Sequence, residues 1–149
     1  MSDVTPTMPE RLLAYLKPGA PALLLTAGAD GYPSSAYTWA VALDAKRVRF
    51  AVDIDGTALV NLNHSGLAGL HIIGPDNLAY LVKGSSKQLK DRIAAVSPGE
   101  MSLWEMQVMG TRDQSFPGVT PKPFTYEWPA DQRTAMQKME QAVFSEMKT

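Results

Sequence analysis

The sequence contains no cysteine among its 149 residues. Disulfide bonds, thiolate metal sites and cysteine nucleophiles are therefore excluded. Histidine is nearly as scarce, and neither His64 nor His71 has neighbouring carboxylates at a metal-ligand spacing. The formal net charge is only −1, so no excess of positive charge favours binding to nucleic acid or to an anionic membrane.

Long hydrophobic runs and targeting signals are missing as well. No apolar run reaches membrane-spanning length, and the start MSDVTP lacks the basic residues and apolar run of a signal peptide. We therefore expect a cytoplasmic protein with no membrane partner. The sequence also lacks the short motifs of P-loop, serine-hydrolase and zinc-protease sites, so no catalytic acid, base or nucleophile can be assigned from it.

What is present favours one globular domain. Apolar residues make up 45% of the chain, which is ordinary for a protein with a hydrophobic core. The length suits a single domain over residues 1–149, with helices near both termini.

The most informative segment is residues 36–62, which contains AYTWAVALD, RVRFAVD and GTALVNL. The first two pieces alternate with period two and are separated by turn residues, so they predict a hairpin of two strands. One face of the first strand carries large side chains, and the other carries small ones: Ala36, Thr38, Ala40 and Ala42. A small-residue face predicts close packing against another backbone or a flat ligand. The third piece predicts a short helical turn with Thr57 as its N-cap.

The flanking segments predict further strands and helices. Strands are expected over residues 22–28, 67–73 and 78–84, with an Asp30-Gly31 hairpin turn. Residues 101–112 fit a strand better than a helix, and residues 124–128 fit a last strand. Helices are expected over residues 12–16, 86–96 and 131–147. This inventory predicts a mainly β fold, an antiparallel barrel with flanking helices.

Three pieces of the first half resemble the pyridoxamine 5′-phosphate oxidase-like family of FMN-binding split β-barrels. They are ALLLTAGADGYPSSAY, RVRFAVD followed by GTALVNL, and LAYLVKG. The resemblance covers roughly residues 12–87. It implies an antiparallel split β-barrel, a homodimer with two flavin sites at the subunit interface, and FMN as cofactor. In such a flavoprotein the cofactor supplies the oxidoreductase chemistry.

The resemblance also implies a set of cofactor-binding residues. The flavin ring would lie against Tyr37, Thr38 and Trp39, and the phosphate beside the turn that contains Asp53, Thr57 and Asn61. Structural roles compete with these assignments: aromatic residues also fill cores and interfaces, a threonine before a helix is an N-cap, and an asparagine stabilises turns.

One position departs from the family pattern. Relatives that hold FMN have a cation after the Ser or Thr of this turn, whereas Thr57 is followed by Ala58, Leu59 and Val60. A phosphate without a cationic partner loses its strongest contacts. Arg49, Lys83 and Lys87 are therefore candidate substitutes.

Two alternatives remain open at this point. The chain could be a non-enzymatic split-barrel dimer that binds no flavin, with its small-residue face packed against the partner. It could instead bind another planar cofactor, a deazaflavin or haem, with His71 as the haem ligand.

Overall fold

The computed structural model describes residues 4–149 as a closed antiparallel barrel with three helices. The strands are β1 (Val4–Thr5), β2 (Ala20–Ala27), β3 (Pro33–Asp44), β4 (Arg47–Asp53), β5 (Leu67–Ile73), β6 (Ala79–Lys90) and β7 (Met101–Asp113). The helices are α1 (Glu10–Leu16), α2 (Thr57–Ser65) and α3 (Arg133–Met147). The strand order is β1-β7-β4-β3-β2-β5-β6, and an additional β6–β7 pairing closes six strands into a ring. The predicted antiparallel barrel with flanking helices is confirmed.

The small-residue face of β3 points into the barrel. Ala40 and Ala42 are buried in the main core, where large side chains such as Phe50 occupy the space they leave. Core packing therefore explains these two alanines without a ligand. Ala36, on the same face, lies at the barrel's edge and is only half-buried.

A second, smaller core lies between the outer wall and α3. Val41 and Leu103 from the sheet pack there against Val143 and Met147. This arrangement confirms the predicted C-terminal helix. No helix among residues 4–149 has the length and apolar character needed to cross a membrane.

The helix predicted over residues 86–96 is wrong. β6 instead continues to Lys90, pairing with β7 through Lys87–Glu105 and Gln88–Trp104. Residues 91–96 then form turns that bury Ile93 in the second core. The 13-residue β7 offers a hydrogen-bonding partner along this whole length, and that tertiary pairing overrides the local helical pattern.

The strand predicted over residues 101–112 is confirmed as β7, but the strand predicted over residues 124–128 is wrong. Side-chain contacts hold this segment in place of a strand ladder: Phe124 stacks on Tyr37, and Tyr126 and Trp128 donate hydrogen bonds to Glu140. The segment instead runs over the outer wall as irregular chain, held in part by the Phe124 N–H, which donates to the Ile73 carbonyl oxygen at 2.8 Å.

Candidate functional site

The barrel wall splits between β3 and β4. The two strands pair as far as Ala40 and Phe50 and then separate, β3 continuing along β2 and β4 along β7. At the start of the gap the Thr38 hydroxyl donates a hydrogen bond to the Ala51 carbonyl oxygen. Beyond it, two strand edges face a cleft, so their backbone N–H and C=O groups can bind a ligand.

This split cleft has a volume of about 410 Å³ and is lined mainly by small side chains. Its walls come from the start of β3, the end of β4 and the start of α2: Ser34, Ser35, Ala36, Ala51, Val52, Gly56, Thr57 and Ala58, with Tyr37 and Met101 at the outer end. Small side chains on both walls leave room for a flat group to approach the backbone.

The start of α2 faces the split cleft, but Thr57 is not its cap. Gly56 is the N-cap and Thr57 is the first helical residue, and no side chain caps this end of the helix. The first backbone N–H groups of a helix have no partner within it and carry partial positive charge. Thr57 and Ala58 thus bring backbone donors to the cleft.

The side-chain charge around the cleft is negative. Asp53 lines the split cleft, and its carboxylate accepts the Asp55 N–H at 2.9 Å. An adjoining depression, which shares Ser34 and Thr57 with the cleft, is lined by Asp30. No lysine, arginine or histidine lines either cavity among residues 4–149. A phosphate here would meet backbone donors but no cation.

Arg49 lies elsewhere, on the outer face of β4. Its guanidinium pairs with Glu105 at 3.1 Å and donates to the Met147 carbonyl oxygen at 2.9 Å. Arg49 therefore binds β4 to β7 and to the end of α3. It does not line the split cleft.

Lys83 also lies away from the cleft. It is exposed on β6 and lines an outer-surface depression with Leu25, Leu67 and Met109. The side chain extends over Gly110 of β7, where a Cβ would stand 3.3 Å from the Lys83 Cε. None of the three candidate bases, Lys87 included, lines the split cleft.

Asn61 is buried on α2, 5% exposed, and its amide donates to the Thr26 hydroxyl at 3.0 Å. This bond fixes the helix to β2. Asn61 also lines the depression next to Asp30. Within the chain, Asn61 therefore positions α2 against the barrel.

Tyr37 and Trp39 contact an aromatic segment that the sequence had assigned to a strand. The Tyr37 ring stacks on Phe124 with centroids 5.3 Å apart, and Tyr37 remains 78% exposed. The Trp39 indole N–H donates to the Tyr126 hydroxyl, and its ring packs edge-on against Phe144. These contacts link the candidate ring-binding residues of β3 to residues 124–128.

Glu140 of α3 holds this segment in place. Its carboxylate accepts hydrogen bonds from the Tyr126 hydroxyl and from the Trp128 indole, the latter at 2.8 Å. Burial of the phenol and its hydrogen bond to Glu140 raise the pKa of Tyr126 well above its usual value. The phenol therefore keeps its proton, and its hydrogen bond to Glu140, further into alkaline solution than an unperturbed tyrosine would.

A second cleft of about 520 Å³ lies between β3 and this segment. We call it the aromatic cleft. It shares Tyr37 and Met101 with the split cleft, so the two cavities adjoin. Sequence reasoning missed it because Phe124, Tyr126 and Trp128 alternate like one face of a strand. Their aromatic character was the available signal.

No protein-family model matches the chain, and no curated protein matches it in sequence. Solved structures do match in fold. A candidate pyridoxamine 5′-phosphate oxidase of Lactobacillus delbrueckii superposes with a TM-score of 0.58 at 17% identity, covering 72% of this chain and 94% of that one. An F420 reductase superposes with a TM-score of 0.58 at 19% identity, covering 70% of this chain and 96% of that one.

A third match is a pyridoxamine 5′-phosphate oxidase-related, FMN-binding protein of Nostoc punctiforme, with a TM-score of 0.51 at 14% identity, covering 68% of this chain and 75% of that one. Identities this low establish the architecture alone. The chain therefore has the split β-barrel fold of pyridoxamine 5′-phosphate oxidase-like proteins, as its resemblance to that family predicted.

Proposed function

We propose that this protein is a flavin-binding oxidoreductase whose cofactor ring lies in the split cleft. The separation of β3 from β4 carries the proposal, because it places two strand edges and small side chains such as Ala36 and Ala51 around one narrow gap. A planar ring with polar edges suits such a gap: its faces pack on small side chains and its edges meet backbone donors and acceptors. The fold shared with an FMN-binding protein supports the same choice.

The phosphate of FMN suits the site less well than the ring. The start of α2 supplies backbone donors at Thr57 and Ala58, but the lining contains no cationic side chain among residues 4–149. Each missing charged hydrogen bond forgoes about 1.5–3 kcal/mol. We propose that binding energy comes mainly from the ring, so riboflavin and FMN bind with similar affinity.

When bound, a flavin supplies the electron-transfer chemistry. The chain's own residues bind and orient the ring. Thr38 fixes the spacing of the two walls through its bond to Ala51, and Asn61 fixes α2 against β2.

The test is the visible spectrum of purified protein after incubation with excess riboflavin or FMN and desalting. We expect both flavins to be retained, with dissociation constants within about fivefold of each other. Ala36→Phe should fill the split cleft and abolish retention of both, whereas Ala14→Phe, on the exposed face of α1, should not. Circular dichroism checks that both variants fold. Loss of both flavins from the wild-type protein contradicts the proposal.

We also propose that the protein is a homodimer. Leu67 and Met109 are 58% and 65% exposed, and with Leu25 and Leu81 they line one shallow depression on the outer wall. Adjoining exposed apolar side chains on a sheet face are typical of an interface. A second copy of the same face would cover them in a two-fold arrangement. Light scattering after gel filtration should give twice the chain mass, and Leu67→Glu should give the monomer. A wild-type monomer at micromolar concentration refutes this part.

The second candidate is a split-barrel dimer that binds no flavin and has no enzymatic role. The acidic lining at Asp30 and Asp53 favours it, as does the lack of a base in these two cavities among residues 4–149. Haem is less well supported, because His71 lies mid-strand on β5 between Leu23 and Leu81 and lines neither the split cleft nor the aromatic cleft. Wild-type protein that washes free of every flavin would favour this candidate.

A further inference from the structure

The aromatic cleft has the size and lining of a small-molecule site. Its volume of about 520 Å³ falls within the roughly 300–1,000 Å³ that such sites occupy. Five aromatic side chains line it: Tyr37, Trp39, Phe124, Tyr126 and Trp128. Planar ring faces in this number favour a planar ligand, which can stack on them.

The charge of the lining is one-sided. Glu127 is its charged residue, and no lysine, arginine or histidine contributes to it among residues 4–149. Within that range the Glu127 carboxylate forms no hydrogen bond or ion pair. Aromatic faces carry negative electrostatic potential and attract cations. The carboxylate and the ring faces therefore both favour a positively charged ligand and disfavour an anion.

The cleft is also held in shape before a ligand arrives. Glu140 accepts hydrogen bonds from Tyr126 and Trp128, and Trp39 donates to the Tyr126 hydroxyl. The stacking of Tyr37 on Phe124 also joins β3 to the segment on the other side of the cleft. A site organised in this way loses little conformational entropy on binding.

We propose that the aromatic cleft binds a planar aromatic cation, such as an N-alkylated pyridinium or quinolinium ring. A ligand there would lie beside the split cleft, because Tyr37 and Met101 line both cavities. Its role as the substrate of a bound flavin rests on the proposed function, whereas the binding itself does not. A phosphorylated aromatic compound is disfavoured by the same charges.

The test uses flavin-free protein and three bicyclic probes at pH 8: N-methylquinolinium, quinoline and a quinoline carboxylate. Isothermal titration calorimetry gives the three dissociation constants. We expect the cation to bind most tightly and at least about tenfold more tightly than the anion, since ring faces and carboxylate act in the same direction.

Three variants locate the site. Glu127→Gln should weaken N-methylquinolinium about two- to fivefold and leave quinoline unchanged, since only the cation senses the carboxylate. Tyr37→Ala should weaken cation and neutral probe alike, and its 78% exposure makes misfolding an unsuitable explanation. Glu10→Gln is the matched control, an exposed carboxylate on α1 that should change nothing.

Three results would overturn the proposal: equal affinity for cation and anion, no binding of any probe at millimolar concentration, or an unchanged cation affinity in Glu127→Gln. Displacement of the probe by riboflavin would also overturn it, because the flavin ring would then occupy this cleft. Flavin retention is measured separately in protein without probe. Failure of flavin binding and failure of cation binding are thus distinguishable.

Discussion

Two arginines of β4 form ion pairs of nearly equal length in unlike surroundings. Arg49 lies 3.1 Å from Glu105, and the two side chains are 13% and 12% exposed. Arg47 lies 2.8 Å from Asp44, with 46% and 47% exposed. Arg49 also donates to the carbonyl oxygen of Met147 at the end of α3. Burial, not distance, therefore distinguishes the two pairs.

Replacing Arg49 by methionine substitutes an apolar side chain of similar length, but it leaves Glu105 charged and without its ion-pair partner. Breaking a fully buried pair costs about 3–5 kcal/mol; this pair retains some solvent contact, so about 2–3 kcal/mol is expected. At about 2–4 °C per kcal/mol for a chain of this size, the melting temperature should fall by roughly 5–10 °C. Arg47→Met should change it little, because exposed pairs contribute little.

Urea denaturation, followed by circular dichroism, measures the free energy of unfolding of the wild-type protein and of each variant. The double variant Arg49→Met/Glu105→Leu should recover part of the loss, because it leaves no unpaired buried charge. Flavin binding is measured on the same samples below their melting temperatures. The ratio of FMN to riboflavin affinity should match the wild-type ratio, since Arg49 lies outside the split cleft.

Two results would refute this reasoning. If Arg49→Met is as harmless as Arg47→Met, the buried pair does not stabilise the junction of β4 with α3. If FMN binding falls while riboflavin binding is unchanged, Arg49 holds the phosphate in solution.

Further predictions concern the cleft, the aromatic segment and the barrel closure. Asp53→Asn should raise the affinity for FMN about two- to fivefold and leave the affinity for riboflavin unchanged, because it removes a charge of the same sign as the phosphate. Asp55→Asn is the control. Equal changes in the affinity for both flavins would count against this prediction. Tyr126→Phe should abolish the most alkaline step in a tyrosine absorbance titration. Because the folded-state pKa of Tyr126 is raised, its contribution to stability is present below pH 10 and lost as pH rises through the folded value, so the variant should lose stability less steeply above pH 10. Gly84→Ala should lower the free energy of unfolding, measured by urea denaturation, by about 2–4 kcal/mol. The reason is that the added Cβ would lie 2.0 Å from a carbonyl oxygen of β7. A variant with the same urea midpoint as the wild-type protein would refute this prediction.

The sequence predicted secondary structure correctly where the local pattern of side chains matches their burial in the folded protein. The alternation in β3 and β4 predicts two strands because one face of each is buried, and Asp30-Gly31 predicts a turn because glycine tolerates the positive φ of +84° found at Gly31. The absence of a cation after Thr57 was also evident from the sequence, and among residues 4–149 no base lines the cleft there.

Other features depended on contacts between distant parts of the chain. Whether residues 86–90 form helix or strand was decided by β7, a partner that begins at Met101. Arg49 was a plausible phosphate ligand by strand position, but its distance from the cleft follows from the location of Glu105 and α3.

By itself, the sequence determined strands β2 to β5, the barrel class and the lack of cysteine chemistry, because side-chain periodicity and composition are local properties. The tertiary structure decided where the wall splits, which charges meet there and how residues 124–128 fold. The physical reason is that a cleft is made of groups that neighbouring residues do not specify. The start of α2, the ends of two strands and a segment fixed by Glu140 come together only when the barrel closes.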